Sequence, residues 1–159
     1  GSGVSQIAGL ITPEDVRAGV IRHALAVSLN PSVVSSGWVF PATKTDGVLE
    51  PGPTTIKEGQ RIRLAPDADL SSITHADPKK AAFARMIATA LRDYGAIVVD
   101  RTNAQLALYM TNSLSYTSLG QPNPWPDLVG TGSGSAQSYL ETVLADSSIP
   151  WDRLQILAE

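Results

Sequence analysis

His23 is the side chain in this sequence best suited to move a proton near neutral pH. It lies in the run Gly19-Val20-Ile21-Arg22-His23-Ala24-Leu25, where alternating residues predict a rigid strand mount for the ring. Asp46, in Thr45-Asp46-Gly47, and Asp100, at the end of an apolar run, are carboxylates able to orient that ring or act as a second acid/base group. Arg61 and Arg63 share one face of a predicted strand, where two guanidinium groups can clamp a uronate, sulfate or phosphate. Trp38 and Trp125, together with Trp151, Tyr109 and Tyr116, offer rings that stack on sugars. The expected constellation is therefore His23 as acid/base, Asp46 or Asp100 as its carboxylate, and Arg61 or Arg63 as the substrate clamp. Each member also has a plainer structural reading. A histidine in an apolar row can be a core residue bonded to backbone or a carboxylate. Aspartate before glycine or in a hairpin is ordinary turn chemistry. Paired surface arginines are most often solvated. Trp151, between Pro150 and Asp152, reads as a plug on the core.

Other chemistries have little support. No Gly-x-Ser-x-Gly elbow is followed by a histidine. Gly130-Thr131-Gly132-Ser133-Gly134-Ser135 imitates a phosphate loop without the lysine or the preceding strand, so a plain loop is expected there. Two distant histidines and scattered aspartates predict no metal site, and no cofactor motif is present. With no cysteine, disulfides and thiolate chemistry are excluded. A net charge of −3 with no basic run longer than Lys79-Lys80 argues against nucleic-acid binding. No apolar run approaches the roughly 18 residues that suggest a membrane span.

The elements that must position these residues centre on Asp77–Met110. Asp77 and Pro78 start a helix as N-cap and first helical residue. Phe83, Ile87, Ala90, Leu91 and Tyr94 form its apolar face, and Gly95 ends it. Ala96–Val99 is a strand too apolar for a surface, Asp100–Asn103 a turn, and Gln105–Met110 a second strand. Earlier in the chain, Thr12-Pro13-Glu14-Asp15 opens a short helix that stops at Gly19. Val20–Leu29 reads as a central strand, apolar on both faces, with His23 in line with Ile21, Leu25, Val27 and Leu29. Thr43–Thr55 is a loop, and Arg61–Leu64 is a strand with arginines on one side and aliphatics on the other. The Ser-, Thr-, Gly- and Pro-rich stretch 111–134 is either a functional loop or a segment pinned by Tyr116 and Trp125. Ser138–Leu144 is a candidate short helix.

Several blocks together resemble a known group. They are Ala8–Ile11, Gly19–Leu25, Pro41–Gly47, Glu58–Leu64, Tyr94–Asp100 and Ile149–Leu157. In that order and spacing the chain resembles the C-terminal part of a group of secreted bacterial proteins, mainly actinobacterial, of unestablished function. The Gly-x-Ile-x-His-Ala-Leu pattern is the most specific piece. The resemblance implies an extracellular location and a β-rich scaffold, and it implies no mechanism. Such proteins carry a further tryptophan-rich, strand-forming region ahead of the first block.

These readings define an α+β protein, residues 1–159 forming one domain or the C-terminal part of a larger one. Its mainly antiparallel sheet is expected to curl towards a barrel or sandwich, with one long helix packed on it. The expected function is that of a secreted domain acting on an extracellular polymer, a polysaccharide by preference, as a hydrolase or lyase. The alternative is a non-catalytic cell-surface or matrix-binding module. A second polypeptide is expected to cover a sheet edge near the N-terminus, since a strand apolar on both faces needs neighbours on both sides.

Overall fold

The computed structural model describes residues 1–129, 136–146 and 148–157. Its first helix, α1 (Pro13–Ala18), begins as the sequence dictates. The Thr12 hydroxyl accepts from the Asp15 backbone and the Asp15 carboxylate accepts from the Thr12 backbone, a reciprocal capping box, with Pro13 in the first turn. Gly19, at φ +68°, ends it, and the Val20 amide still bonds back to Asp15 O. The residues after Gly19 are thus used to terminate the helix. The strand read as Val20–Leu29 therefore starts later, as β1 (Leu25–Leu29), and His23 lies in the α1–β1 connection.

Six further strands follow: β2 (Val34–Trp38), β3 (Ile56–Glu58), β4 (Arg61–Leu64), β5 (Ala96–Arg101), β6 (Leu106–Leu108) and β7 (Leu154–Ile156). With β1, four of these form one sheet among the described residues, in the order β6-β1-β5-β4-β7, in which only the β1–β5 pair is parallel. β2 and β3 form a separate parallel pair. The α+β class and mainly antiparallel sheet stand, but the large sheet is open and does not close into a barrel. β1 is central as its composition demands: all five residues are buried, and its neighbours on both sides come from this chain. Asp100 and Arg101 belong to β5; the expected turn begins only after them.

The long helix is α2 (Pro78–Asp93), with Asp77 capping the Lys79 amide. It packs on β4 and on α5 (Ala136–Asp146). Phe83, Ala84, Ile87, Ala88 and Leu91 join Leu25, Val27, Ile62, Leu64 and Val98 in the core. Tyr94 departs from the expected face and is 39% exposed. It is the C-cap residue, past the last full turn, so helical periodicity no longer sets its direction.

The described part of the 111–134 stretch, expected as a functional loop or a segment pinned by its aromatics, holds two short helices, α3 (Leu114–Thr117) and α4 (Trp125–Val129). Its aromatics pin it. The Trp125 indole is buried and donates to Thr111 O at 2.9 Å, and Tyr116 reaches Glu14 of α1 at 3.3 Å. The Gly130–Ser135 run lies outside the described residues. On the other side of the sheet, the N-terminal segment crosses β1 and β5. Ser2 donates to Val99 O through both backbone and hydroxyl, and Gly9 packs directly on Ala26. No helix among the described residues is long and apolar enough to cross a membrane.

Candidate functional site

A register irregularity in β5 builds the site. Val27 of β1 lies opposite Val98, but Ser28 lies opposite Asp100, so one extra residue is accommodated on β5. Such a bulge shifts the alternation of side chains, and here it puts Asp100 on the face of Ser28. Val99, left over by the shift, accepts both Ser2 bonds through its carbonyl. β3 then delivers Glu58 beside β5: the Gly59 amide donates to Val98 O at 2.8 Å as the chain turns into β4. The Pro41–Gly47 loop brings the third carboxylate, its Asp46 amide donating to Glu58 Oε2 at 3.2 Å.

One oxygen from each of Asp46, Glu58 and Asp100 falls within 4.8 Å of the others. Three segments distant in sequence thus converge on one acidic cluster. Glu58 is fully buried, while Asp46 and Asp100 keep a third of their side-chain surface. Two cations face them. The Gly1 ammonium sits 2.9 Å from Asp46 Oδ2 and 3.4 Å from Asp100 Oδ1, and Arg101 Nε lies 3.2 Å from Asp46 Oδ1.

The environments of the carboxylates differ. Burial pushes the Glu58 carboxyl above its ordinary value; the Thr45 hydroxyl opposes this and the negative charge of Asp46 reinforces it. Burial also acts to raise Asp46, but the hydrogen bond and charge of the Gly1 ammonium, with the charge of Arg101, hold it below the usual range. The ammonium is stabilised in turn, chiefly by its bond to Asp46. The Tyr109 phenol, just beyond β6, is raised mainly by burial. Ser28 lowers it by hydrogen bonding, and the charges of Asp100, Asp46 and Glu58 raise it further.

The structure brings Asp46 and Asp100 together but does not join His23 to either. The carboxylate beside His23 is Asp15 of α1, with Oδ2 at 3.5 Å from Nε2; Nδ1 lies 2.9 Å from Ala24 O. Strand geometry explains the separation. His23 precedes the start of β1, whereas Asp100 stands opposite Ser28, five residues further along. At about 3.3 Å rise per residue that is on the order of 15 Å. His23 ties the α1 capping box to the β1 approach. His23→Ala is accordingly expected to lower stability by about 1 kcal/mol, the size of one such hydrogen bond. For a chain of this length that lowers the melting temperature by about 2–4 °C. A thermal scan checks this, and an unchanged midpoint would refute the structural role.

The arginines also lie elsewhere. Arg61 and Arg63 share a face of β4 as expected, with Ile62 and Leu64 buried on the other. Arg61, however, sits opposite Ile97 near the start of β5 and donates to Tyr94 O at 2.9 Å, closing the end of α2. Of the two tryptophans proposed for sugar stacking, Trp125 is excluded by burial, at 2% exposure. Trp38 is 50% exposed and lies opposite Glu58 in the β2–β3 register, with Phe40 beyond it 91% exposed. Trp151 packs partly against the core.

Glu58 and Arg101 went unrecognised as site residues in the sequence, and Tyr109 was read only as a ring for sugar stacking. Glu58 had one sign: with Ile56 it shares a face by strand alternation, so a carboxylate stands in an apolar row just before a glycine turn.

The fold and site define an α+β domain with an open mixed sheet and a carboxylate cluster at the end of its parallel strand pair. Comparison with family models, curated proteins and solved structures gives no match to this chain.

Proposed function

We propose that this domain acts on an extracellular polymer, a polysaccharide by preference, with Asp46 and Asp100 as the groups that meet the substrate. The observation that carries this reading is the convergence of Asp46, Glu58 and Asp100 within 4.8 Å, with the half-exposed Trp38 opposite Glu58 in the β2–β3 register. Like charges brought this close repel, and here three carboxylates face two cations. Paired carboxylates are the machinery of glycosidic bond cleavage, one giving a proton and the other attacking or activating water. Glu58, fully buried, is a positioning residue: it accepts the Asp46 amide and fixes that loop. A lyase is the alternative chemistry. The extracellular setting rests on the resemblance described above. β1 already has partners on both sides within the chain, so this reading does not invoke a second polypeptide.

The test is turnover on a panel of neutral and uronic polysaccharides, scored for reducing ends and for the ultraviolet absorbance of unsaturated ends. Asp46→Asn and Asp100→Asn are each expected to lose about 10²–10⁴-fold, the usual contribution of a positioned acid or base. Ultraviolet-absorbing products would move the assignment to a lyase. Full activity in both variants would remove the cluster from the chemistry.

The exposed Trp38 and Phe40 favour a second reading, a non-catalytic module that holds a glycan on this aromatic pair. Binding without turnover, lost in Trp38→Ala/Phe40→Ala and kept in Asp46→Asn, would establish it over the first.

A further inference from the structure

We propose that Asp46, Glu58 and Asp100 form a divalent-cation site, selective for Ca²⁺. This does not depend on the catalytic reading and is distinct from it, since a carboxylate that ligates Ca²⁺ is ionised and does not at the same time give a proton.

The donor set is three carboxylates with no histidine or cysteine, which suits a hard, oxygen-seeking cation. Size then selects among such ions. Oxygens on opposite sides of Ca²⁺ stand about 4.6–5.2 Å apart, so a spread of up to 4.8 Å is accepted as it is. Mg²⁺ holds its oxygens at about 2.0–2.1 Å, so that even opposed ligands must close to about 4.2 Å.

Clustered acids alone do not make a site, but Glu58 supplies an independent sign. It is fully buried, and its Oε1 has no hydrogen-bond partner. Its Oε2 accepts from the Asp46 amide at 3.2 Å. A buried carboxylate oxygen left bare is costly, and a coordinated cation satisfies it. Asp46 Oδ1 is a second buried oxygen without a hydrogen bond, its near neighbour being Arg101 Nε at 3.2 Å.

The Gly1 ammonium stands between Asp46 Oδ2 and Asp100 Oδ1, where an ion bridging the two would sit. Arg101 works against a cation, but it offsets one carboxylate of three. The site was invisible to spacing rules because its ligands come from a loop, from β3 and from β5.

The probes are Ca²⁺ alone, by calorimetry on chelator-stripped protein, and Tb³⁺ luminescence sensitised by Tyr109 and Trp38 with Ca²⁺ as competitor. The expected result is one ion per chain at sub-millimolar affinity or better, with a rise in melting temperature. Acetylating the Gly1 amine removes the competing charge and is expected to tighten binding. Glu58→Gln and Asp100→Asn, checked for folding by circular dichroism, are each expected to weaken binding at least tenfold. Absence of heat and luminescence at millimolar ion, with both free and acetylated amines, would overturn the site. So would unchanged affinity in a folded Glu58→Gln. Asp46→Asn losing turnover in a protein that binds no Ca²⁺ would overturn the cation site alone and leave the catalytic reading standing.

Discussion

Gly59→Ala is expected to destabilise the protein by about 2–6 kcal/mol, the sum of backbone strain and overpacking. Gly59 sits at φ +90°, a conformation that L side chains rarely adopt, in the turn that carries β3 into β4. Space is the second obstacle. A Cβ there would stand 1.8 Å from Val39 O and 3.0 Å from the Ala42 Cβ. Neither neighbour can withdraw freely. Val39 is held by its amide bond to Glu58 O at 2.9 Å, and Ala42 by its bond to Val39 O at 2.8 Å. The Gly59 amide is itself committed to Val98 O. Relief therefore has to come from moving β3 off β5, which also withdraws Glu58 from the carboxylate cluster. Urea denaturation gives the measurement, with Gly52→Ala as the control. Gly52 has open space around its Cβ position and no left-handed backbone, so little change or a slight gain is expected. A Gly59→Ala midpoint within error of the parent would show that this turn does not constrain the site.

What was legible in the sequence follows the range of the interactions. α2 was legible at both ends because its signals are local: Asp77 at the cap, Pro78 in the first turn and Gly95 just beyond the last. β1 was correctly placed at the centre, because residues apolar on both faces leave a strand no other location. Its start was misjudged where two local signals overlapped. Apolar alternation runs unbroken from Val20, while the closing bonds of α1 occupy Gly19 and Val20, and in the structure those bonds prevail. That error carried His23 onto a strand and away from Asp15, its actual neighbour.

The cluster was only half legible for a different reason. Asp46 and Asp100 stood out as polar residues at turns, but their meeting depends on the β5 bulge and on the β3 return past Val98. Neither feature has a local signature. Glu58 was hidden by its own turn, since Glu-Gly reads as surface chemistry until the strand before it is paired. Trp125 failed in the opposite sense. An aromatic in a polar stretch suggested a binding surface, and its indole instead secures that stretch to Thr111.

Ile87→Ala is expected to cost about 2–5 kcal/mol, the usual range for truncating a buried aliphatic side chain to alanine. Ile87 is completely buried at the middle of α2, on the stripe with Phe83, Ala84, Ala88 and Leu91 that faces the sheet and α5. The upper half of the range is favoured by its neighbours. Ala84, Ala88 and Ala90 have no side chain to swing into the space, and Leu64 and Val98 are held by the sheet, so collapse around the cavity is limited. At about 2–4 °C per kcal/mol the melting temperature should fall by roughly 4–20 °C. Arg85→Ala, on the exposed side of the same helix, should stay within about 0.5 kcal/mol. The contrast isolates burial from helix propensity, since alanine is the best helix former and both changes gain in that respect. The carboxylate cluster lies on the other face of β5 from this core, so a folded Ile87→Ala protein should keep its Ca²⁺ affinity. An Ile87→Ala loss as small as that of Arg85→Ala would mean that α2 does not seal the sheet.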